Sequence, residues 1–259
     1  MLTDARAKPI ERLTAPWRAL PDFLVVGAQK AGTTTLHELL VAHPQVAMSR
    51  HKECNVLTRA EATRLGYRAY FPYRSRLRRA AVRRVGEATP YYLVHPLAPQ
   101  RAAAWLPGVR AVAVLRDPIE RAWSHYRHSV RLGVERLDFV AALEAEAERV
   151  KLQDGEPFRR HSYATRGRYA EQLERWFSAI GRENMLVLGF GEVVRRPEVG
   201  LPKLAEFLGI DDLFPRAVPE SNRGVDMGRM PDAARERLES HFTEPNARLE
   251  RLLGHLPDW

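Results

Sequence analysis

Nine residues constrain this chain more than any others: Gly27-Ala28-Gln29-Lys30-Ala31-Gly32-Thr33-Thr34-Thr35. They follow Phe23-Leu24-Val25-Val26, apolar at consecutive positions, as in a parallel strand buried on both faces. They precede Leu36, Leu39 and Leu40 at helical spacing, and Pro44 stops that helix. At such a junction the first-turn N–H groups lack intrahelical partners and the helix dipole adds positive potential, which makes an anion site. Gly32 lets the backbone approach an oxygen closely, and three threonines add hydroxyl donors. Gly27 and Gly32 have the spacing of the nucleotide loop Gly-x-x-x-x-Gly-Lys-[Ser/Thr], but Thr33 holds the lysine slot and the lysine comes earlier, at Lys30. The plainer reading is a glycine turn beside one exposed lysine.

Two further apolar runs, 109–115 and 185–190, read as buried strands. Helical patterns cover 97–105, a helix opened by Pro118, 138–150, 169–180, 201–208 and 232–253, with 155–168 as a polar connection. Strands alternating with helices predict an α/β fold: a P-loop-like, three-layer architecture with a central parallel sheet flanked by helices. Residues 1–21, with Pro9, Pro16 and Pro21, read as an N-terminal arm, and 22–259 as a single domain.

The second signal is Arg116-Asp117-Pro118-Ile119-Glu120-Arg121-Ala122-Trp123-Ser124-His125-Tyr126-Arg127-His128. Arg116 falls at the carboxyl end of a strand, the edge where open α/β sheets bind ligands. Arg121, Ser124 and His128 share one helix face. Arg116 and Ser124 can thus converge on one phosphate, the arginine as a charged fork and the serine as a directional donor. Arg121 and Arg127, taken singly, read as solvent-facing.

Together these two segments resemble the sulfotransferases that use 3′-phosphoadenosine 5′-phosphosulfate (PAPS), in the branch containing heparan sulfate sulfotransferases and bacterial homologues. The resemblance implies that Lys30, Ala31, Gly32, Thr33, Thr34 and Thr35 hold the 5′-phosphosulfate, and that Arg116 and Ser124 hold the 3′-phosphate. It implies PAPS as donor and 3′-phosphoadenosine 5′-phosphate (PAP) as product. Weaker echoes extend it over roughly residues 22–254: His51-Lys52-Glu53, Gly86-Glu87-Ala88-Thr89-Pro90-Tyr91-Tyr92 and Arg166-Gly167-Arg168-Tyr169. Ser221-Asn222-Arg223-Gly224 stands where the family often has a basic cofactor loop, which puts Arg223 and Gly224 against the nucleotide. Cys54-Asn55-Val56-Leu57 replaces the aromatic stretch of the heparan enzymes, so the acceptor differs in that reading.

Sulfuryl transfer is an in-line displacement that loads charge onto the leaving oxygen, so fixed cations are needed there. Lys30 is the candidate for that task, and no metal is required. Glu53 is a candidate base, or equally a surface ion-pair partner of Lys52. His128, through a resemblance to the heparan N-sulfotransferase branch, is a second candidate, as acceptor or donor of a proton. Lys52, Tyr91 and Tyr92 are candidate acceptor contacts, although core packing suits each tyrosine as well. The arginine run Arg74, Arg76, Arg78, Arg79, Arg83, Arg84 lines an approach for an anionic acceptor, or is a solvated helix face.

The formal charge of +9, from 41 Lys+Arg against 32 Asp+Glu, favours anionic ligands. It permits a nucleic-acid module, but no helix-turn-helix, zinc finger or aromatic RNA motif accompanies it. Cys54 is the only cysteine, so no intramolecular disulfide forms. No apolar run approaches a membrane span, and the N-terminus lacks a signal-peptide core, so a cytoplasmic, bacterial protein is expected. The acceptor is a small molecule, glycan or lipid carrying a hydroxyl or amine. The alternatives are a P-loop nucleotide-dependent kinase and a PAP-binding, non-catalytic scaffold.

Overall fold

Alternate residues of the first strand, β1 (Phe23–Gly27), are buried in different layers, which explains its unbroken apolar run. Phe23 and Val25 join an apolar cluster with Leu36, Leu39, Leu201, Leu204 and Leu208. Leu24 and Val26 join another with Tyr92, Ala102, Leu173, Trp176 and Leu249. Fully burying such side chains contributes about 1.5–3 kcal/mol each. The computed structural model describes residues 7–151, 155–215 and 228–259.

The elements follow as α1 (Pro9–Leu13), β1, α2 (Thr33–Ala42), β2 (Val46–Met48), α3 (Arg64–Tyr67), α4 (Arg74–Arg79), β3 (Arg84–Ala88) and α5 (Ala98–Trp105). Next come β4 (Arg110–Leu115), α6 (Pro118–Arg131), α7 (Phe139–Arg149), α8 (Gly155–His161), α9 (Tyr169–Ile180), β5 (Met185–Gly189), α10 (Pro197–Leu208) and α11 (Asp232–Leu253). The five strands form one sheet in the order β2-β3-β1-β4-β5, and every pairing is parallel. Helices cover both faces, so the architecture is the three-layer α/β fold expected from sequence. The chain leaves β1 toward β3 on one side and β4 on the other. With β1 between β3 and β4 the strand order reverses at β1, the place where open α/β sheets bind ligands beyond the carboxyl ends of their strands.

Two strands were not legible as such. β2 is only three residues long. β3 carries a glycine and a glutamate, both poor strand signals. Its glycine is required by packing, since a Cβ on Gly86 would lie 2.2 Å from Phe23 Cζ. The polar connection 155–168 contains α8, which buries Phe158, and a short turn of helix at Thr165–Gly167. Residues 7–21 dock on the body: Ala7, Ala15 and Ala19 enter the apolar cluster, and Arg18 donates to the Phe71 carbonyl at 2.8 Å. Among the described residues, no helix is long and apolar enough to cross a membrane.

Candidate active site

The chain leaves β1 into 28–32 and enters α2 at Thr33. Ala28 N–H donates to the Val114 carbonyl at 2.7 Å, tying the loop to β4. Lys30 adopts φ 69°, a left-handed conformation uncommon outside glycine and often found at functional sites. Gly32, at φ 85°, ends the loop against Phe190 and Val194. The N–H groups of the first turn of α2 face the same edge as the Lys30 loop.

Four other cations gather around Lys30, carried by Arg116, Arg127, Arg131 and Lys52. Arg116 follows β4, donates to the Lys30 carbonyl at 3.3 Å and lies 4.9 Å over the Phe190 ring. Tyr169 OH donates to the Arg116 carbonyl at 2.9 Å. Lys52 Nζ donates to Thr34 Oγ1 at 2.9 Å. Arg127 lies 5.7 Å over Trp123, and Arg131 Nη2 is 3.0 Å from His128 Nδ1. All these partners are uncharged. Burial, then repulsion from the four neighbours, lowers the Lys30 pKa to about 8. Burial also lowers the pKa values of Lys52 and Arg116. Lys30, Lys52, Arg116 and Arg127 are half-buried and Arg131 is exposed, and although Glu38 and Glu53 act on Lys52 and Asp117 and Glu120 on Arg116, the like charges repel and an anion relieves them.

Helix α6 supplies the rest of this wall. Asp117 Oδ1 accepts from the N–H groups of Ile119 and Glu120, both at 2.9 Å, so this acid caps the helix. Ser124, Arg127, His128 and Arg131 follow one another at helical spacing along one stripe, and the two arginines and His128 reach the Lys30 cluster. Arg121, expected to face solvent, is fully buried and donates to the Tyr163 carbonyl. The 158–167 segment covers the α6 face that carries Arg121, His125 and Ser129, a contact the helical periodicity does not carry. His128 has its pKa lowered to about 4 by burial, Lys30 and Arg131, so its ring is neutral at pH 7. Its Nδ1 accepts from Arg131, which leaves the proton on Nε2.

Glu53 lies beside the cluster, with Lys52, Arg159 and Arg166 as its charged neighbours. Burial outweighs them and raises its pKa. Arg166, fully enclosed, donates to Gln29 in the phosphate loop and to Ser162 Oγ at 2.7 Å. Arg159 stacks 4.7 Å over Tyr91 and donates to Asn55 Oδ1 at 3.2 Å.

Tyr91 and Tyr92 are both buried. Tyr92 OH donates to Glu87 Oε1 at 2.9 Å, so it supports the site from behind instead of facing an acceptor. Trp123 packs with Tyr126 and Phe139. The arginine run 74–84 lies on α4 and at the start of β3, at the opposite edge of the parallel sheet from the phosphate loop. There Arg83 pairs with Asp211 at 2.8 Å and Arg74 donates to the Arg18 and Pro16 carbonyls. That run therefore does not border this site. Arg223 and Gly224 lie outside the described residues. Cys54 is buried, and burial beside Glu87 raises its pKa well above the ordinary thiol value, so it is unreactive.

Sequence reasoning missed Arg127, Arg131, Arg159 and Arg166 as members of the site. It also gave Glu87 no task, although the segment holding it was singled out.

A family model described as the sulfotransferase domain matches residues 20–221. Human bifunctional heparan sulfate N-deacetylase/N-sulfotransferase 2 is 28% identical over 218 residues, covering 80% of this chain and 24% of that protein. The membrane-associated sulfotransferase kil1 of Dictyostelium discoideum is 34% identical over 113 residues, covering 43% of this chain and 24% of that protein. The chain thus spans about a quarter of the length of these curated relatives. The crystal structure of a sulfotransferase from Alicyclobacillus acidocaldarius superposes with a TM-score of 0.74 at 32% identity, covering 92% of this chain and 97% of that one. Mouse sulfotransferase SULT7A1, solved in complex with PAP, shares the fold at a TM-score of 0.55 and 14% identity, covering 96% and 94%.

Proposed function

The chain belongs to the sulfotransferase family, and we propose that it moves the sulfuryl group of PAPS onto a hydroxyl or amine of a saccharide, lipid or secondary-metabolite acceptor. The observation that carries this reading is the group of five cations at the carboxyl edge of the sheet, all with uncharged partners. Such a donor set fits a nucleotide carrying phosphates at both ends. We assign the work to one domain, residues 22–259.

PAPS, when bound, supplies an activated sulfuryl group whose leaving oxygen gains negative charge on transfer. The α2 N-terminus, Gly32 and Thr33 to Thr35 bind the 5′ end through backbone N–H and hydroxyl donors. Lys30 and Lys52 neutralise charge there, Lys30 at the leaving oxygen. Arg116 and Ser124 hold the 3′-phosphate, with Arg127 and Arg131 adding to the field along α6. Glu53 takes the acceptor proton. Its burial raises its basicity, and Lys52, Arg159 and Arg166 oppose that rise. His128, with its proton on Nε2, serves as a donor toward the sulfuryl oxygens, and the base role falls to Glu53.

The test is calorimetry with PAP, then transfer from labelled PAPS to a panel of glucosamine, 1-octanol and 4-nitrophenol. Wild type binds PAP, which raises its melting temperature by mass action, and modifies at least one acceptor. Lys30→Ala lowers kcat by about 10²–10³-fold, the range for one lost transition-state donor. PAP binding without turnover on any acceptor leaves the non-catalytic scaffold as the better reading. Wild-type turnover by Lys30→Ala refutes the role given to that lysine.

A further inference from the structure

Glu87 is enclosed in β3 and fully buried; burial raises its pKa to about 7 against its hydroxyl partners and the nearby Arg59, and no cation forms an ion pair with it among the described residues. Three hydroxyls surround it instead. Thr89 donates to Oε1 at 2.5 Å, Tyr92 donates to Oε1 at 2.9 Å, and Tyr67 donates to Oε2. A hydroxyl owns a single proton. Once that proton points at a carboxylate, its oxygen can only accept from any other neighbour.

Two of these oxygens do accept from one loop. Asn55 N–H donates to Thr89 Oγ1 at 3.4 Å, and Leu57 N–H donates to Tyr92 OH at 3.2 Å. Asn55 turns the chain at φ 55°, a left-handed position that asparagine tolerates well. Glu53 sits two residues before that turn. The loop that presents Glu53 is therefore held from behind by hydroxyls whose polarity Glu87 dictates.

The geometry points to Glu87 as a positioning residue for the transfer reaction: it fixes Thr89 and Tyr92 as acceptors for the 55–57 backbone and thereby holds the Glu53 carboxylate at the site. This rests on the reading of Glu53 as the base. Glutamine at 87 keeps the shape but turns one oxygen into an N–H₂ donor. With its nitrogen on the Oε1 side it faces Thr89 and Tyr92 and forces a loop-holding hydroxyl to reverse; with its nitrogen on the Oε2 side it faces Tyr67, and the remaining oxygen is a weaker, neutral acceptor for Thr89 and Tyr92. In either orientation the hold of Thr89 and Tyr92 on the 55–57 backbone weakens.

The experiment measures kcat, acceptor KM and PAP Kd for Glu87→Gln, Glu53→Gln and the double variant, using labelled PAPS and the acceptor that wild type modifies best in the panel above. Single-turnover rates serve for the slowest variants. Glu87→Gln lowers kcat by about 10- to 100-fold, short of the 10²–10⁴-fold a positioned base supplies, and leaves the PAP Kd within about twofold. In the Glu53→Gln background, Glu87→Gln has no further effect, because it acts through Glu53. Equal losses in both backgrounds, or PAP affinity falling in step with kcat, overturn the positioning role and leave Glu87 as general scaffolding. A wild-type rate for Glu53→Gln instead removes the base assignment, so the two failures are told apart. If Glu87→Gln does not fold, Tyr92→Phe, which deletes one link only, lowers kcat several-fold at unchanged PAP Kd. A wild-type kcat for Tyr92→Phe overturns the proposal.

Discussion

The charge state of Lys30 is open to direct measurement through pH. Its pKa of about 8 means that the ammonium is about 90% present at pH 7 and about 10% present at pH 9. A bound polyanion favours the ammonium, so in the complex the pKa rises and binding takes up a proton wherever the free lysine is neutral. The sign is fixed: affinity for PAP falls as pH climbs through 8. Protonating the free lysine costs about 0.1 kcal/mol at pH 7 and about 1.4 kcal/mol at pH 9, so the PAP Kd rises about tenfold between them. Lys52, also lowered by burial, adds to the loss in the same direction. PAP phosphates, with a second pKa near 6, are almost fully ionised across this window and work slightly against the trend. Calorimetry in two buffers of different ionisation enthalpy reads the proton uptake, which is near zero at pH 7 and approaches one at pH 9. Lys30→Arg, charged throughout, loses most of this dependence. A wild-type Kd that changes less than about twofold over the window, without proton uptake, refutes the claim that Lys30 is a desolvated cation awaiting an anion. A tenfold dependence that persists in Lys30→Arg transfers the effect to another group.

Arg116→Ala weakens PAP binding by about 1.5–3 kcal/mol, roughly 10- to 150-fold in Kd, whereas Ser124→Ala costs about 0.5–1.5 kcal/mol; equal Kd values for both variants and wild type in calorimetry deny them the 3′-phosphate. Gly86→Ala drives a methyl into Phe23 and destabilises the sheet by about 1–3 kcal/mol in denaturant titration, and an unchanged midpoint contradicts the close approach of β3 to β1.

How much of this site was legible depends on how local its contacts are. The strand–loop–helix junction was readable because its parts follow one another within 23–42, and their physics needs no other part of the chain. Arg116 was readable for the same reason, as the residue after a strand. Glu87 was not, because its meaning lies in hydroxyls supplied from Tyr67, Thr89 and Tyr92 and in a loop that begins more than thirty residues earlier. Arg166 likewise touches Gln29 across a sequence separation of 137.

Helix α6 shows where a usable signal was passed over. Spacing alone put Arg121, Ser124 and His128 on one face, yet the α6 residues that reach the Lys30 cluster are Arg127, His128 and Arg131. Periodicity gives the angle around a helix and says nothing of which face another segment covers; here residues 158–167 cover the face of Arg121, His125 and Ser129. Charge pattern carries the missing information. Solvated helices pair arginine with acids three or four residues away, as Arg160 does with Glu156 at 2.5 Å and Arg168 with Glu171 at 2.5 Å. Arg127 has Trp123, Ser124, Val130 and Arg131 at those positions and no acid among them. Arg131 has Arg127, His128, Val134 and Glu135, and that glutamate is already held by Arg149 at 2.6 Å. A helix face that repeats positive charge without its own counter-charge is destabilised unless something outside the helix supplies it. The neighbouring elements bring Lys30, Lys52 and Arg116, with Glu53 beside Lys52, so repulsion on Lys30 stays unrelieved and an anionic ligand is the counter-charge this face favours.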